Sequence, residues 1–84
     1  MNNFIIYAIY NKKCNKTYIG QTKDINERLK LHNEKRLKGY TSRFAGSWEI
    51  IYIEEAENRQ DALIREKQLK SYQGRQFIKQ FIPA

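Results

Sequence analysis

Apolar residues fall along this chain in short clusters, each closed by polar residues. Phe4 to Tyr10 (FIIYAIY) is β-branched and aromatic with no polar break, the pattern of a buried strand. The polar run Asn11 to Lys16 reads as a turn, and Thr17 to Gln21 (TYIGQ) as the returning strand of a hairpin. Gly20 is a poor strand former, so it marks a bulge or the close approach of another backbone. Asp24, followed three residues later by Glu27, has the spacing of a capping box. A first helix therefore begins there and runs to about His32 or Glu34, with Ile25 and Leu29 on its inner stripe.

Asn33 to Ser47 is basic and loop-like, with Gly39 and Gly46 bracketing Tyr40 to Phe44. Trp48 to Ile53 (WEIIYI) predicts a third strand, and Glu54 to Glu57 an acidic turn. Asn58 caps a second helix, with Asp61 in the first turn where the helix dipole favours negative charge. Gly74 is placed to end that helix. A last short helix, Arg75 to about Ile82, buries Phe77, Ile78 and Phe81. The order is β-β-α-β-α-α, an α+β fold with a small antiparallel sheet flanked by helices.

Length and charge narrow the function. The chain has 84 residues, enough for one domain spanning 1–84. A domain of this size buries only about 60% of its unfolded surface, which disfavours a deep closed cavity. A large substrate lying on an open face suits it better. Sixteen Lys and Arg oppose nine Asp and Glu, for a net charge of +7. Residues 1–48 carry ten basic and three acidic side chains, whereas residues 49–84 carry six of each. The excess belongs to the first part of the chain, and a localised positive field points to a polyanion, with nucleic acid ahead of an acidic membrane. Cys14 is the one cysteine, so neither an internal disulfide nor a structural zinc cluster is expected. Met1 to Phe4 does not read as a signal peptide, and no run approaches the ~20 apolar residues of a membrane span. A cytoplasmic location is the default expectation.

Some residues are not explained by the fold alone. Ala62, Leu63 and Leu69 outline the apolar face of the second helix, and Glu66 falls inside that stripe. A carboxylate there needs a cation, supplied by a metal or by an ion pair. On the first helix, Arg28 and His32 are four residues apart and lie beside Ile25. They form either part of a site or a solvated helix edge. Tyr7 and Tyr18 fall on strands that should pair, where aromatic neighbours can serve packing as well as chemistry.

Taken in order, these residues resemble a known family. Ile5-Ile6-Tyr7 and Tyr18-Ile19-Gly20 resemble the two short motifs that give GIY-YIG nucleases their name. The similarity continues through Thr22, Arg28 and His32 to Glu66 and covers nearly the whole chain, resembling the small stand-alone bacterial members. Two departures are visible: Ile5 stands where the first motif has glycine, and Phe77 to Ala84 lacks the late Asn of many members.

The resemblance implies a three-stranded antiparallel sheet and hydrolysis of a DNA phosphodiester with one divalent metal, Mg²⁺ or Mn²⁺. Glu66 would be the lone protein ligand of that ion. Arg28 would hold the phosphate, and Tyr7 would be the general base, helped by His32. Tyr18 would orient water or phosphate. Outside the site, Lys12, Lys13, Lys16, Lys23, Lys35, Arg36, Lys38 and Arg43 would contact the phosphates of duplex or branched DNA, unless they form an ordinary solvated surface. Weak sequence preference is expected, with a role in repair or recombination. The rival readings are a nucleic-acid-binding module of the same fold without catalysis, and a basic protein-interaction domain.

Overall fold

The run Phe4–Asn11 forms β1, and it is apolar on both faces because it is the middle strand of a three-stranded antiparallel sheet. The computed structural model describes residues 3–37 and 39–83. Its other elements are β2 (Lys16–Thr22), α1 (Ile25–Asn33), a 3-10 turn (Tyr40–Arg43), β3 (Trp48–Ala56), α2 (Arg59–Lys70) and α3 (Tyr72–Lys79). The sheet order is β2-β1-β3. The α+β class and the β-β-α-β-α-α order therefore match the pattern read from the sequence.

Alternation along β1 sorts its side chains into two cores. Ile6 and Ala8, with Ile19 of β2, pack under Ala62 and Leu69 of α2 and Ile78 of α3. Tyr7 and Ile9 point the other way and pack with Trp48, Ile25, Leu29 and Phe44. The sheet thus has α1 over one face and α2 with α3 over the other. Pairing of β1 with β3 shifts between Ala8 and Ile9, leaving Ile51 as the extra residue of a bulge. No helix among the described residues is long and apolar enough to cross a membrane.

Both predicted helix starts are present. Asp24 accepts the Glu27 amide at 3.0 Å, and Asn58 accepts the Asp61 amide at 2.8 Å. Asn33 closes α1 onto the sheet: its Oδ1 accepts the Trp48 amide at 2.6 Å, and its Nδ2 donates to the Trp48 carbonyl at 3.1 Å. Fully buried Asn11 ties the hairpin turn to the later loop, donating to the Ala45 carbonyl and accepting the Cys14 amide.

The structure corrects several boundaries. Gly74 does not end α2; it lies in the first turn of α3, where a Cβ would collide with the backbone of Gln68 and Leu69. Ser71 separates the two helices. Its Oγ donates to the Gln68 carbonyl at 2.6 Å and accepts the Gly74 amide at 3.2 Å, so one hydroxyl serves both ends. The last helix consequently begins at Tyr72 and not at Arg75, and it ends at Lys79. Of its three expected core residues only Ile78 is buried; Phe77 packs edge-on and Phe81 tilted against Tyr52, and both stay partly exposed.

The expected acidic turn at Glu54 to Glu57 is strand as far as Ala56, because Phe4, Ile5 and Ile6 need partners and find them in Ala56, Glu55 and Glu54. Leu63 is 49% exposed and does not belong to the buried stripe of α2, which narrows to Ala62 and Leu69 one turn either side of Glu66. The predicted loop after α1 contains the 3-10 turn Tyr40–Arg43.

Candidate active site

Tyr7 lies in the middle of the central strand, and only 2% of it is exposed. Its cross-strand partner is Gly20, and the Tyr7 ring lies over that glycine. A Cβ there would meet the Tyr7 hydroxyl at 2.7 Å and its Cζ at 2.9 Å. Gly20 therefore marks neither a bulge nor a close backbone; it leaves room for a side chain. Tyr18 pairs with Ile9, so the two tyrosines share a face one diagonal step apart, with ring centroids 6.4 Å apart.

His32 enters this face from the last turn of α1. It is 3% exposed, and its ring centroid lies 5.9 Å from Tyr7 and 5.3 Å from Tyr18. Nε2 is 2.9 Å from the Tyr7 hydroxyl, and Nδ1 is 2.8 Å from Oγ1 of Thr41. In either neutral tautomer one ring nitrogen donates and the other accepts, so both bonds are made. Burial, followed by the charges of Arg28 and Lys35, lowers the imidazole from its ordinary value to about 4. His32 is thus neutral at pH 7.

Burial also raises the Tyr7 phenol beyond the ordinary tyrosine range, with Tyr18 and Glu66 adding to the effect and Arg28 opposing it. Arg28 and Glu66 are therefore close enough for their charges to be felt at Tyr7. The Glu66 side chain is largely buried, at 19% exposure, and its Oε2 accepts from Nζ of Lys70 at 2.7 Å. Arg28 is half-buried and forms no ion pair among the described residues. A planar, permanently charged guanidinium left without a carboxylate is suited to an external anion.

The structure brings Tyr7, Tyr18 and His32 into direct contact, with Arg28 and Glu66 around them. Two neighbours were not read from the sequence. Thr41 is 3% exposed in the 3-10 turn, and no periodicity singles out a loop threonine. Lys70 is ion-paired to Glu66, and its i,i+4 spacing was the available signal.

The basic residues of the first half do not form one uniform patch. Lys12, Lys13 and Lys16 flank the β1–β2 turn and are exposed. Lys23 lies over the Phe4 ring at 5.1 Å. Nζ of Lys35 donates to the Gly46 carbonyl at 2.8 Å, and Arg36 pairs with Glu34 at 3.4 Å. Arg43 ends the 3-10 turn and is exposed, and Lys38 lies outside the described residues.

Among the described residues no cluster of three or more His, Cys, Asp or Glu side chains gathers in one place. Among the described residues, Glu66 is the carboxylate whose charge reaches Tyr7. A single carboxylate, completed by water and phosphate oxygens, suits Mg²⁺ or Mn²⁺ and would not suffice for a structural zinc. One Glu66 oxygen is engaged by Lys70, and the other has no hydrogen bond among the described residues.

With this geometry in place, comparison with known proteins is decisive for the family. The GIY-YIG catalytic domain matches residues 3–79. This chain belongs to the GIY-YIG family. Two UPF0213 proteins from strains of Staphylococcus epidermidis are each 34% identical over 75 residues, covering 87% of this chain and 90% of theirs. The solution NMR structure of the UPF0213 protein from Bacillus halodurans shares the fold with a TM-score of 0.54 at 22% identity, over 93% of this chain and 83% of that one. The GIY-YIG motifs fall on adjacent strands: Tyr7 on β1, and Tyr18 with Gly20 on β2.

Proposed function

We propose that this GIY-YIG protein is an endonuclease that hydrolyses DNA phosphodiester bonds with the help of one divalent metal ion, with weak sequence preference. The observation that carries the reading is the contact of the buried Tyr7 hydroxyl with Nε2 of His32, within reach of the charges of Glu66 and of Arg28, which forms no ion pair among the described residues.

Glu66 would hold Mg²⁺ or Mn²⁺. When bound, the ion would neutralise phosphate charge and help the leaving oxygen depart. Arg28 donates to non-bridging phosphate oxygens and stabilises the charge that grows on the pentacoordinate phosphorus. Tyr7 orients the attacking water and accepts its proton. Because burial holds the phenol protonated at rest, that role requires its own proton to pass to Nε2 of His32. The substrate phosphate, being anionic, makes His32 a better acceptor than in the free protein. Thr41 holds the imidazole edge toward Tyr7. Tyr18 supports the face of His32 and offers its hydroxyl to phosphate or water. The exposed cations Lys12, Lys13, Lys16, Lys23 and Arg43 supply contacts to the DNA backbone that do not read base sequence, which is compatible with a role in repair or recombination.

Supercoiled plasmid incubated with Mg²⁺ or Mn²⁺ should be nicked by the wild type and left intact in EDTA. Glu66→Ala and Arg28→Ala, with unchanged far-ultraviolet circular dichroism, should lose cutting. Cutting at full rate in both variants would refute the site.

The Lys70–Glu66 ion pair favours a second reading, a nucleic-acid-binding module whose candidate metal ligand is already engaged. Plasmid left unchanged by either metal after long incubation, together with salt-dependent DNA binding, would select it.

A further inference from the structure

A cleft opens along β2 at Tyr18. Its volume is about 490 Å³, and Lys16, Tyr18, Tyr40, Lys70 and Arg75 line it. This is within the range of small-ligand pockets, about 300–1,000 Å³. Three of those five side chains are cationic, and no carboxylate lines the cleft. Two of the cations come from the half of the chain whose charges sum to zero, so the tertiary fold and not the charge distribution along the sequence makes this surface basic.

The aromatic pair has a particular form. Tyr18 and Tyr40 are nearly parallel, at 21°, with centroids 6.1 Å apart. Phe44 braces Tyr40 from another side at 5.0 Å. Tyr40 still exposes 41% of its surface. Nζ of Lys70 lies over the Tyr18 ring at 5.9 Å while pairing with Glu66. Tyr18 and Lys70 thus link the cleft to the candidate active site, since Tyr18 also touches His32 and Lys70 also pairs with Glu66.

We propose that this cleft receives an unpaired nucleotide of a DNA strand, with the base stacked on Tyr40 and the flanking phosphates held by Lys16, Lys70 and Arg75. The inference rests on the nuclease reading and adds to it a substrate feature: at least one unpaired base close to the bond cut. The physical reason is access. A base inside a duplex has both faces covered by its neighbours, whereas an unpaired base can lay one face on an exposed aromatic ring. Stacking tolerates any base, which agrees with weak sequence preference. The neighbouring phosphates supply the charge that Lys16 and Arg75 are placed to meet, with Lys70, whose Nζ also pairs with Glu66, as the third cation.

The test is binding in EDTA, where hydrolysis plays no part. Fluorescence anisotropy is read on a labelled oligothymidylate, on the same strand paired with oligoadenylate, and on an oligouridylate. The wild type should bind the single DNA strand more tightly than the duplex. Tyr40→Leu should weaken single-strand binding by about tenfold while changing duplex binding by less than about twofold. A fluorescent adenine analogue within the strand should be quenched by the wild type and not by Tyr40→Leu. Should Tyr40→Leu fail to fold, Lys16→Gln at the exposed rim serves in its place and should lower the salt dependence of single-strand binding by about one counterion. Equal losses for single strand and duplex, no loss in any variant, or a duplex preference in the wild type would overturn the proposal. Tighter binding of the RNA would overturn the choice of DNA. Nicking without Tyr40-dependent strand binding would sink the cleft alone. Strand binding without nicking would sink hydrolysis alone.

Discussion

The Tyr7 hydroxyl and Nε2 of His32 are 2.9 Å apart across a buried interface between the central strand and the first helix. Both residues are buried, Tyr7 at 2% and His32 at 3% exposure. Tyr7→Phe removes one partner and leaves a ring nitrogen unsatisfied, a loss of about 1–3 kcal/mol. Chemical denaturation should show that loss, and plasmid nicking should fall by about a hundredfold or more. A Tyr7→Phe protein that nicks like wild type would remove Tyr7 from the proton path.

The neutral state of buried His32 has a consequence for stability. Its folded value is about 4, below the unfolded value of 6.5. Between these values the unfolded chain binds the extra proton, so stability is full above about pH 6.5 and falls as pH drops toward 4. The shift corresponds to about 3 kcal/mol. Thermal melts from pH 7 to pH 4 should show a decline that is clearly shallower in His32→Gln. An identical slope in the two proteins would place the acid sensitivity elsewhere.

In the proposed mechanism Thr41 is a positioning residue that acts through its hydrogen bond to His32. Thr41→Val keeps the shape but removes the partner of Nδ1 at 2.8 Å. Nicking should drop by about tenfold through kcat with KM for DNA nearly unchanged. Thr41→Ser should restore it. A rise in KM alone would show that Thr41 touches DNA and does not position the histidine.

Gly20 is where a single added methyl reports on the site. The new Cβ of Gly20→Ala would stand 2.7 Å from the Tyr7 hydroxyl, so the tyrosine must move or the strands must part. A destabilisation of about 1–3 kcal/mol is expected from overpacking. The loss of nicking should exceed what unfolding explains. Unchanged stability and cutting would mean that the Tyr7 ring has slack at this position.

Lys70 competes with any cation that Glu66 would hold. In Lys70→Met the carboxylate is released, so half-maximal nicking should need several-fold less Mn²⁺ while KM for DNA rises. A metal requirement that is unchanged or greater would show that the ion pair does not gate the site.

The fold was largely legible in the chain because strand and helix periods, N-cap residues and apolar runs are local properties. β1 is apolar on both faces, as a central strand must be, and Asp24 and Asn58 open their helices where the capping pattern placed them. Boundaries failed where two elements compete for the same residues. Ser71 is a better helix separator than Gly74, and β3 runs on to Ala56 because β1 has unpaired groups to satisfy. Leu63 was misplaced because an apolar side chain on a short helix need not be buried.

The candidate residues themselves were visible as polar groups in apolar stripes: Glu66 between Ala62 and Leu69, and His32 one turn beyond Arg28. Their mutual distances were not. That Tyr7 lies over Gly20, that Nδ1 of His32 meets Thr41, and that Lys70 and Arg75 join Lys16 around an exposed tyrosine depend on how strands and helices pack. Sequence determines which groups each element presents, since backbone period and side-chain chemistry are written locally. Packing decides which of them share a dry surface, and a buried hydrogen bond or a shifted imidazole exists only once distant segments have excluded water together.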